Sequence, residues 1–492
     1  MKRSRCVSLA LSLLLALGFC LIFAYSNTPL GPAIGSDNAI YLTMGTAIAQ
    51  GYAPYTEVFD HKGPLLFLLQ ALPQAVAGGY STLAVFVMEA LFLFASLRAV
   101  CAIAGEAGAP RLPAQIAYLA LICALTDGGN LTEEYSNLFT LLGILLALRT
   151  FAGEKAQGER LFARALGMGA MAMLAFLMRA NNALPLCAMT AVLALCLLAR
   201  REFAPLGRCA GGFALGLLAA GLPVALWLAA QGALGEAIYG SILHNMMYAG
   251  TDGAGRLHML LFDRYGHIAL LLAALACLGA LTLWRRAPAM MLSLIAGAAG
   301  AGLAALISHK YYVHYLVLGA PCAVTGVALL LAAAKRRGKR LCRAGCVLCA
   351  ALCAAILAAG GVQANESRLA WRGEGYDGFV ADAQALYAQV PEQERGSFMA
   401  YRVEPRWYVA AKALPCMRFY FLQEILAQAD PAVMEEIVEE FESDPPRWLV
   451  IYYNREFGPP YDARVAAIFE SDYEFVDARG QYQLLRLKGA GT

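Results

Sequence analysis

Residues 35–65, GSDNAIYLTMGTAIAQGYAPYTEVFDHKGPL, place Asp37, Tyr41, Glu57, Asp60, His61 and Lys62 within 26 positions of a largely apolar chain. An ionisable cluster beside a bilayer is costly unless water, protein partners or a substrate satisfies it. The stretch follows an apolar run from Val7 to Tyr25. It reads as a reactive face, with the remaining apolar segments as its scaffold. Within it, Ser36 suits an N-cap and Gly51 a C-terminal stop, while Ile40, Met44, Ala47 and Ile48 repeat at helical spacing. The pattern predicts a short amphipathic helix lying on the outer surface. Asp37 falls in its first turn, where the helix dipole favours an ionised carboxylate, and Tyr41 one turn further on. Taken by itself, Asp37 reads better as a plain helix-start residue than as a reactive group.

Outward from this stretch the composition sets the class. Of 492 residues, 60% are hydrophobic and only 15% charged, too apolar for a soluble chain of this size. Apolar runs near the roughly 20 residues needed to cross a bilayer recur to about residue 362. Eleven spans are expected, near 7–25, 81–104, 114–127, 138–152, 165–179, 183–199, 209–230, 265–284, 288–308, 313–334 and 344–362. The third to sixth are short for a full crossing. Lys2, Arg3 and Arg5 give the first the form of a signal peptide as well. Cleavage would leave the reactive stretch at a free N-terminus, so an uncleaved helix is expected.

Basic residues alternate between loops. With a cytoplasmic N-terminus, the inner loops hold Arg111; Arg149, Lys155, Arg160 and Arg164; Arg200, Arg201 and Arg208; Arg285 and Arg286; and six basic residues from Lys335 to Arg343. The outer segments hold Lys62, Arg179, Arg256, Arg264 and Lys310. This is the positive-inside pattern. It predicts a multi-pass protein of the cell membrane with a cytoplasmic N-terminus and an extracytoplasmic C-terminal part. No basic tract is interleaved with aromatics, so no nucleic-acid partner is expected. Of fourteen cysteines only Cys416 lies in the polar C-terminal part, so that part folds without an internal disulfide.

Lys62, Arg179 and Lys310 have no orientation role, and each sits at a membrane boundary on the outer side. Three such cations suit an anionic ligand, phosphate above all; snorkelling or pairing with local carboxylates is the alternative. Glu133 and Glu134 adjoin one another at the outer end of the third span, so both cannot share a helix face. One is expected to point into a site and the other to cap the following helix. Arg179-Ala180-Asn181-Asn182 and the segment from His309 to Tyr315 interrupt spans on the same side. The histidines lack a pairing that suits a metal ion, so none is expected.

After residue 363 charges and Pro445-Pro446 replace the apolar runs. Strands are expected at Ser397–Arg402, Arg447–Tyr453 and Tyr482–Leu487, with helices near 379–389, 420–441 and 461–470. The chain therefore divides into a membrane domain, 1–362, whose outer loop 27–80 carries the main motif, and a small extracytoplasmic α/β domain, 363–492. That domain, about 125 residues, is large enough for its own core. It suits acceptor docking or structural support.

The order Asp37-x-x-x-Tyr41, Gly51-x-x-Pro54-Tyr55, then Asp60-His61-Lys62-Gly63-Pro64-Leu65 resembles the first outer loop of the GT-C glycosyltransferases. Protein O-mannosyltransferases and the aminoarabinose transferases of lipid A belong to that superfamily. Glu133-Glu134-Tyr135, Arg179-Ala180-Asn181-Asn182, the segment His309–Tyr315 and the tail Pro445-Pro446-Arg447-Trp448 are similar to a bacterial branch in the same order. The resemblance implies a polytopic α-helical fold of about eleven transmembrane helices with a soluble outer α/β domain. It implies a hexosyl- or pentosyltransferase that moves a sugar, with inversion, from a polyprenyl-phosphate donor to an acceptor hydroxyl outside the membrane. The acceptor would be an envelope glycan, a glycolipid or a protein.

On that reading Asp37 is the general base, aided by Glu133 or Glu134. Lys62, Arg179 and Lys310 hold the donor phosphate. Tyr41, Tyr55, Asp60, His61, Asn182, His309 and Tyr312 line the substrate site, and no cofactor is required. Asn38 stands where some relatives carry a second carboxylate, which fits metal-independent transfer. Gly63-Pro64 follows Lys62 where other branches have two prolines. A transporter or flippase for a lipid-linked or anionic substrate would also need many spans and deep cations. Such proteins often have two related halves, and the sequence shows none.

Overall fold

The computed structural model describes residues 2–151, 160–248, 263–307, 312–373, 375–452 and 462–489. Among the described residues each of the eleven expected spans falls mainly on helix. In chain order the long helices are α1 (Lys2–Phe23), α2 (Ser36–Ala49), α3 (Pro64–Ala77), α4 (Thr82–Ala107), α5 (Arg111–Cys123), α6 (Thr132–Phe151) and α7 (Leu161–Met178). They continue with α8 (Leu184–Ala199), α9 (Phe203–Ala230), α10 (Arg264–Leu281), α11 (Pro288–Leu306), α12 (Ala320–Arg337) and α13 (Lys339–Trp371). Among the described residues nine helices are long and apolar enough to cross a membrane. Of the eleven expected spans, the other two are α5, with 13 residues, and α6, whose first turn carries Glu133 and Glu134. The protein is a multi-pass membrane protein.

The chain forms two compact units. The first comprises residues 1–32, 86–227 and 249–367. Here α6 packs on α7, α8 on α11, and α10 on α12. Small residues bring the backbones together, the means by which apolar helices associate where no hydrophobic force separates protein from lipid.

The second unit comprises residues 33–85, 228–248 and 368–492. Its α2 has the expected position but not the expected setting. Instead of lying amphipathically on a surface, it is buried continuously from Asn38 to Ala47. On one side Gly45 meets α3 so closely that a Cβ there would lie 2.7 Å from the Gln70 backbone. Elsewhere the Tyr80 hydroxyl oxygen lies 3.2 Å from Thr43 Oγ1, and the Tyr420 hydroxyl donates to the Ile40 carbonyl at 3.3 Å. Covered this way, the helix needs no polar face. α3, absent from the expected spans, begins with Pro64 at its first position after the extended Gly63.

The last long helix, α13, runs through 362 to Trp371 without a break. Beyond it a four-stranded sheet has the order β1-β2-β4-β3, formed by β1 (Phe398–Tyr401), β2 (Trp448–Tyr452), β3 (Tyr473–Arg479) and β4 (Tyr482–Leu487). β1 and β2 run parallel; β2–β4 and β3–β4 are antiparallel. β3 was not among the expected strands. Its residues are mostly exposed, and its signal is the two-residue turn Gly480-Gln481 closed by the Arg479–Tyr482 pair. The single helix expected near 420–441 is two, Gln423–Ala429 and Ala432–Ser443. Pro431 cannot continue the first, and Asp430 Oδ1 accepts from Ala432 N at 3.1 Å, starting the second.

Candidate functional site

The residues singled out from the sequence fall into two groups, one in each compact unit. In the second unit the loop between α2 and α3 carries Tyr55, Asp60, His61 and Lys62. Tyr55 has a φ of 67°, in the left-handed region, and is fully buried. That backbone costs about 1–2 kcal/mol in a residue with a Cβ, and the surroundings fix it. Its N–H donates to the Val58 carbonyl at 2.7 Å, and its hydroxyl donates to the Lys62 carbonyl at 2.7 Å. Tyr55 therefore sets the position of Lys62.

Asp60 is fully buried. Its Oδ1 accepts from the His61 backbone N–H at 2.7 Å and lies 3.1 Å from His61 Nδ1 and 3.9 Å from Lys62 Nζ. Lys62 Nζ lies 3.1 Å from His61 Nε2. An ammonium only donates, so Nε2 accepts and the ring proton sits on Nδ1, aimed at Asp60. The result is a chain of Lys62, His61 and Asp60 with one set of proton positions. Burial alone would raise the Asp60 pKa; the charge of Lys62 and the His61 contacts outweigh it and hold the carboxyl well below its ordinary value. Asp60 Oδ2 has no hydrogen-bond partner among the described residues. The Lys62 ammonium lies 5.7 Å from the centre of the Tyr41 ring, within cation–π range.

Asp37 is half-buried in the first turn of α2. Its carboxylate makes no ion pair or hydrogen bond among the described residues, unlike the other loop charges.

Sequence reasoning missed what holds the loop. Asn245 Nδ2 donates to the His61 carbonyl at 2.7 Å. His244 stands with its ring centre 6.2 Å from that of His61 and 5.7 Å from that of Phe59. Burial and the neighbouring His61 bring its pKa down to about 4, against the opposing pull of Asp430 and Asp60. Both residues lie in or beside a π-helical turn, Tyr239–His244, an irregularity that no hydrophobic period announces. From the C-terminal part, the Arg418 carbonyl accepts from Phe59 N at 3.0 Å, and its guanidinium lies 5.3 Å from the Phe59 ring centre. Arg418 is in turn paired with Glu436 at 3.0 Å and with Glu236. The Tyr80 hydroxyl donates to the Ala413 carbonyl at 2.8 Å. The C-terminal residues thus clamp the motif loop.

In the first unit Arg179 ends α7 in an extended conformation. Its Nη1 donates to Glu133 Oε1 at 3.0 Å and its Nη2 to the Tyr315 hydroxyl at 3.2 Å. The guanidinium also lies 4.4 Å from the Tyr315 ring centre. Glu133 and Arg179 are both buried. The adjacent Glu134 does what a capping carboxylate does. It accepts from Thr126 Oγ1 and, at 3.4 Å, from Leu131 N at the start of α6. Glu134 is thus the capping member of the pair, and Glu133 is the one that meets Arg179. Asn182 Nδ2 donates to Ser136 Oγ at 2.9 Å, while its Oδ1 is buried without a partner among the described residues. Tyr312 is exposed and stacks on His314 at 5.5 Å. His309 and Lys310 lie outside the described residues.

Lys62 and Arg179 therefore each have a carboxylate partner, as the pairing alternative anticipated. Pairing also fixes their geometry, which an electrostatic role requires. Among the described residues no group of three or more His, Cys, Asp or Glu is arranged to hold a metal ion.

No family model matches the sequence, and no curated protein matches it. Solved structures do. ArnT from Cupriavidus metallidurans bound to undecaprenyl phosphate aligns over 100% of this chain and 99% of its own, with a TM-score of 0.57 at 12% identity. The apo state of ArnT aligns over 96% of this chain and 97% of its own, with a TM-score of 0.57 at 13% identity. At that identity the likeness speaks for the fold: the chain has the GT-C fold of ArnT, membrane helices and C-terminal sheet included.

Proposed function

We propose that this protein is a glycosyltransferase that moves a sugar from a polyprenyl-phosphate donor to a hydroxyl of an envelope glycan, glycolipid or protein on the outer face of the membrane. The observation that carries this reading is the likeness over the whole chain to a structure that holds undecaprenyl phosphate. Asp37, whose carboxylate is not engaged by the described residues, takes the proton of the acceptor hydroxyl as its oxygen attacks the anomeric carbon. The bond from that carbon to the lipid phosphate breaks, and its electron pair leaves with the phosphate. Attack from the opposite side inverts the centre. Lys62 and Arg179 stabilise the charge that grows on the phosphate, each held in place beforehand by its carboxylate. Lys310 is a further donor-phosphate ligand on this reading.

The test compares surface glycans, by mass spectrometry, from host cells with intact protein, with Asp37→Asn, and with none, at equal membrane levels of protein. Loss of one sugar in both the null and the Asp37→Asn cells supports the transferase and names its product. Loss in the null alone removes Asp37 as the base and favours a transport role.

A further inference from the structure

In the first unit two pockets adjoin, sharing the part of their walls around Phe151 and Leu197. One, about 410 Å³, lies among α6, α7, α8 and α9 and is lined mainly by apolar side chains such as Phe151, Met168, Ala194 and Phe213. The other, about 280 Å³, is bounded by Arg200, Glu202, Arg285 and Arg286. Phe151, Leu193 and Leu197 line both. An apolar pocket thus adjoins, across a shared wall, a mouth of three guanidiniums and one carboxylate.

The apolar part exists because its walls are drawn apart. α9 lies tightly on α7, where a Cβ at Gly216 would come 2.0 Å from the Leu166 carbonyl oxygen. α8 is drawn the other way onto α11, and Ser293 Oγ donates to the Met189 carbonyl at 3.1 Å. The pocket is partly open at the helix surface, and its almost wholly apolar lining is poor at holding water. In a bilayer the available filler is a hydrocarbon chain. Trp284, two-thirds exposed beside Arg285, marks the depth of the membrane interface. Arg179 follows the far end of α7, whose 18 residues span about 27 Å, so the Leu161 end of the pocket is remote from the Arg179–Glu133 pair, while its other end reaches Cys187 in the first turn of α8.

We propose that these adjoining pockets bind one anionic glycerophospholipid, its phosphate among Arg200, Arg285 and Arg286 and an acyl chain in the cavity behind Phe151. Basic pockets between membrane helices suit such headgroups. The guanidiniums supply planar donors for the phosphate oxygens. The apolar cavity distinguishes the site from a merely basic loop.

The test is native mass spectrometry of delipidated full-length protein titrated with phosphatidylglycerol, phosphatidylethanolamine or undecaprenyl phosphate. Wild type is expected to bind one phosphatidylglycerol roughly tenfold or more tightly than phosphatidylethanolamine. Arg285→Gln/Arg286→Gln should remove that preference, and Arg285→Lys/Arg286→Lys should keep most of it. Ala194→Trp, which fills the cavity, should abolish the tight site while the protein still elutes as a single species. Equal binding of the two phospholipids by wild type, or an undiminished preference in the Gln variant, would overturn the inference. So would undecaprenyl phosphate displacing phosphatidylglycerol with higher affinity, which would make the pockets a carrier site.

Discussion

Asp60→Asn should destabilise the second unit sharply, and Lys62→Met added to it should restore most of the loss. Asp60 is fully buried and Lys62 is 7% exposed, with Nζ 3.9 Å from Oδ1. At that separation opposite charges attract by about 4 kcal/mol at an effective dielectric of 20. The desolvation already incurred by both groups offsets much of this, so the intact pair contributes little net stability. The asymmetric loss is different. Removing the carboxylate alone leaves an ammonium buried and uncompensated, which costs about 3–5 kcal/mol. Removing both charges leaves two groups of similar volume and costs far less.

The assay is a thermal melt of purified full-length protein in one detergent for wild type, both single variants and the double. The single Asp60→Asn variant should melt lower by on the order of 10 °C for a unit of this size. The double variant should lie within a few degrees of wild type, yet be inactive if Lys62 meets the donor phosphate. The pH dependence carries a sign of its own. The folded-state pKa of Asp60 is depressed, so its stabilisation is complete above the unfolded carboxyl value near 4. It is lost as pH falls through the folded value. The gap between wild type and Asp60→Asn should stay constant from pH 5 to 8 and close in stronger acid. A double variant as unstable as the single would refute the reasoning, since lost packing and not stranded charge would then be the cause.

Two further outcomes follow from the same unit. His244 has its pKa lowered to about 4 from 6.5, so the unfolded chain binds its proton first as pH falls. Stability should be unaffected above pH 6.5 and decline by about 3 kcal/mol between there and pH 4; melts of His244→Phe should lack that slope, and an unchanged slope would assign it elsewhere. Gly45→Ala should cost about 1–3 kcal/mol through overpacking against the Gln70 backbone. Gly35→Ala meets open space and should cost less, no more than about 1 kcal/mol, because alanine is the poorer N-cap of α2.

The helices were legible because apolar length is a strong signal, and the GT-C resemblance could be read from the opening loop alone. The setting of α2 was not. Its apolar repeat fitted a surface helix as well as a buried one, because the residues that cover it, Gln70, Tyr80 and Tyr420, lie up to 380 positions away from Ile40. β3 was missed for the opposite reason. An exposed edge strand has little hydrophobic period, and only its Gly-containing turn announced it. The break at Asp430-Pro431 could have been found, since a proline cannot continue a helix that needs its N–H.

For the site, the sequence reveals which residues carry charge but not which contacts orient them. Lys62 was identifiable as a cation of the motif loop; that Tyr55 holds its carbonyl from a left-handed backbone, and that His61 links it to Asp60, required three dimensions. Because Tyr55 adopts a conformation that L residues avoid, Tyr55→Gly would relieve the backbone while removing the hydroxyl contact to Lys62. The motif from Pro54 to Lys62 is therefore one mechanical unit as well as a set of chemical groups. The C-terminal residues reinforce it: the Phe59 N–H donates to the Arg418 carbonyl, so the C-terminal part bears on the position of a loop more than 350 residues earlier in the chain. Structural support and acceptor docking, alternatives when only the sequence is read, need not be separate roles. A C-terminal part that clamps the motif loop is placed to change that loop whenever something binds to it.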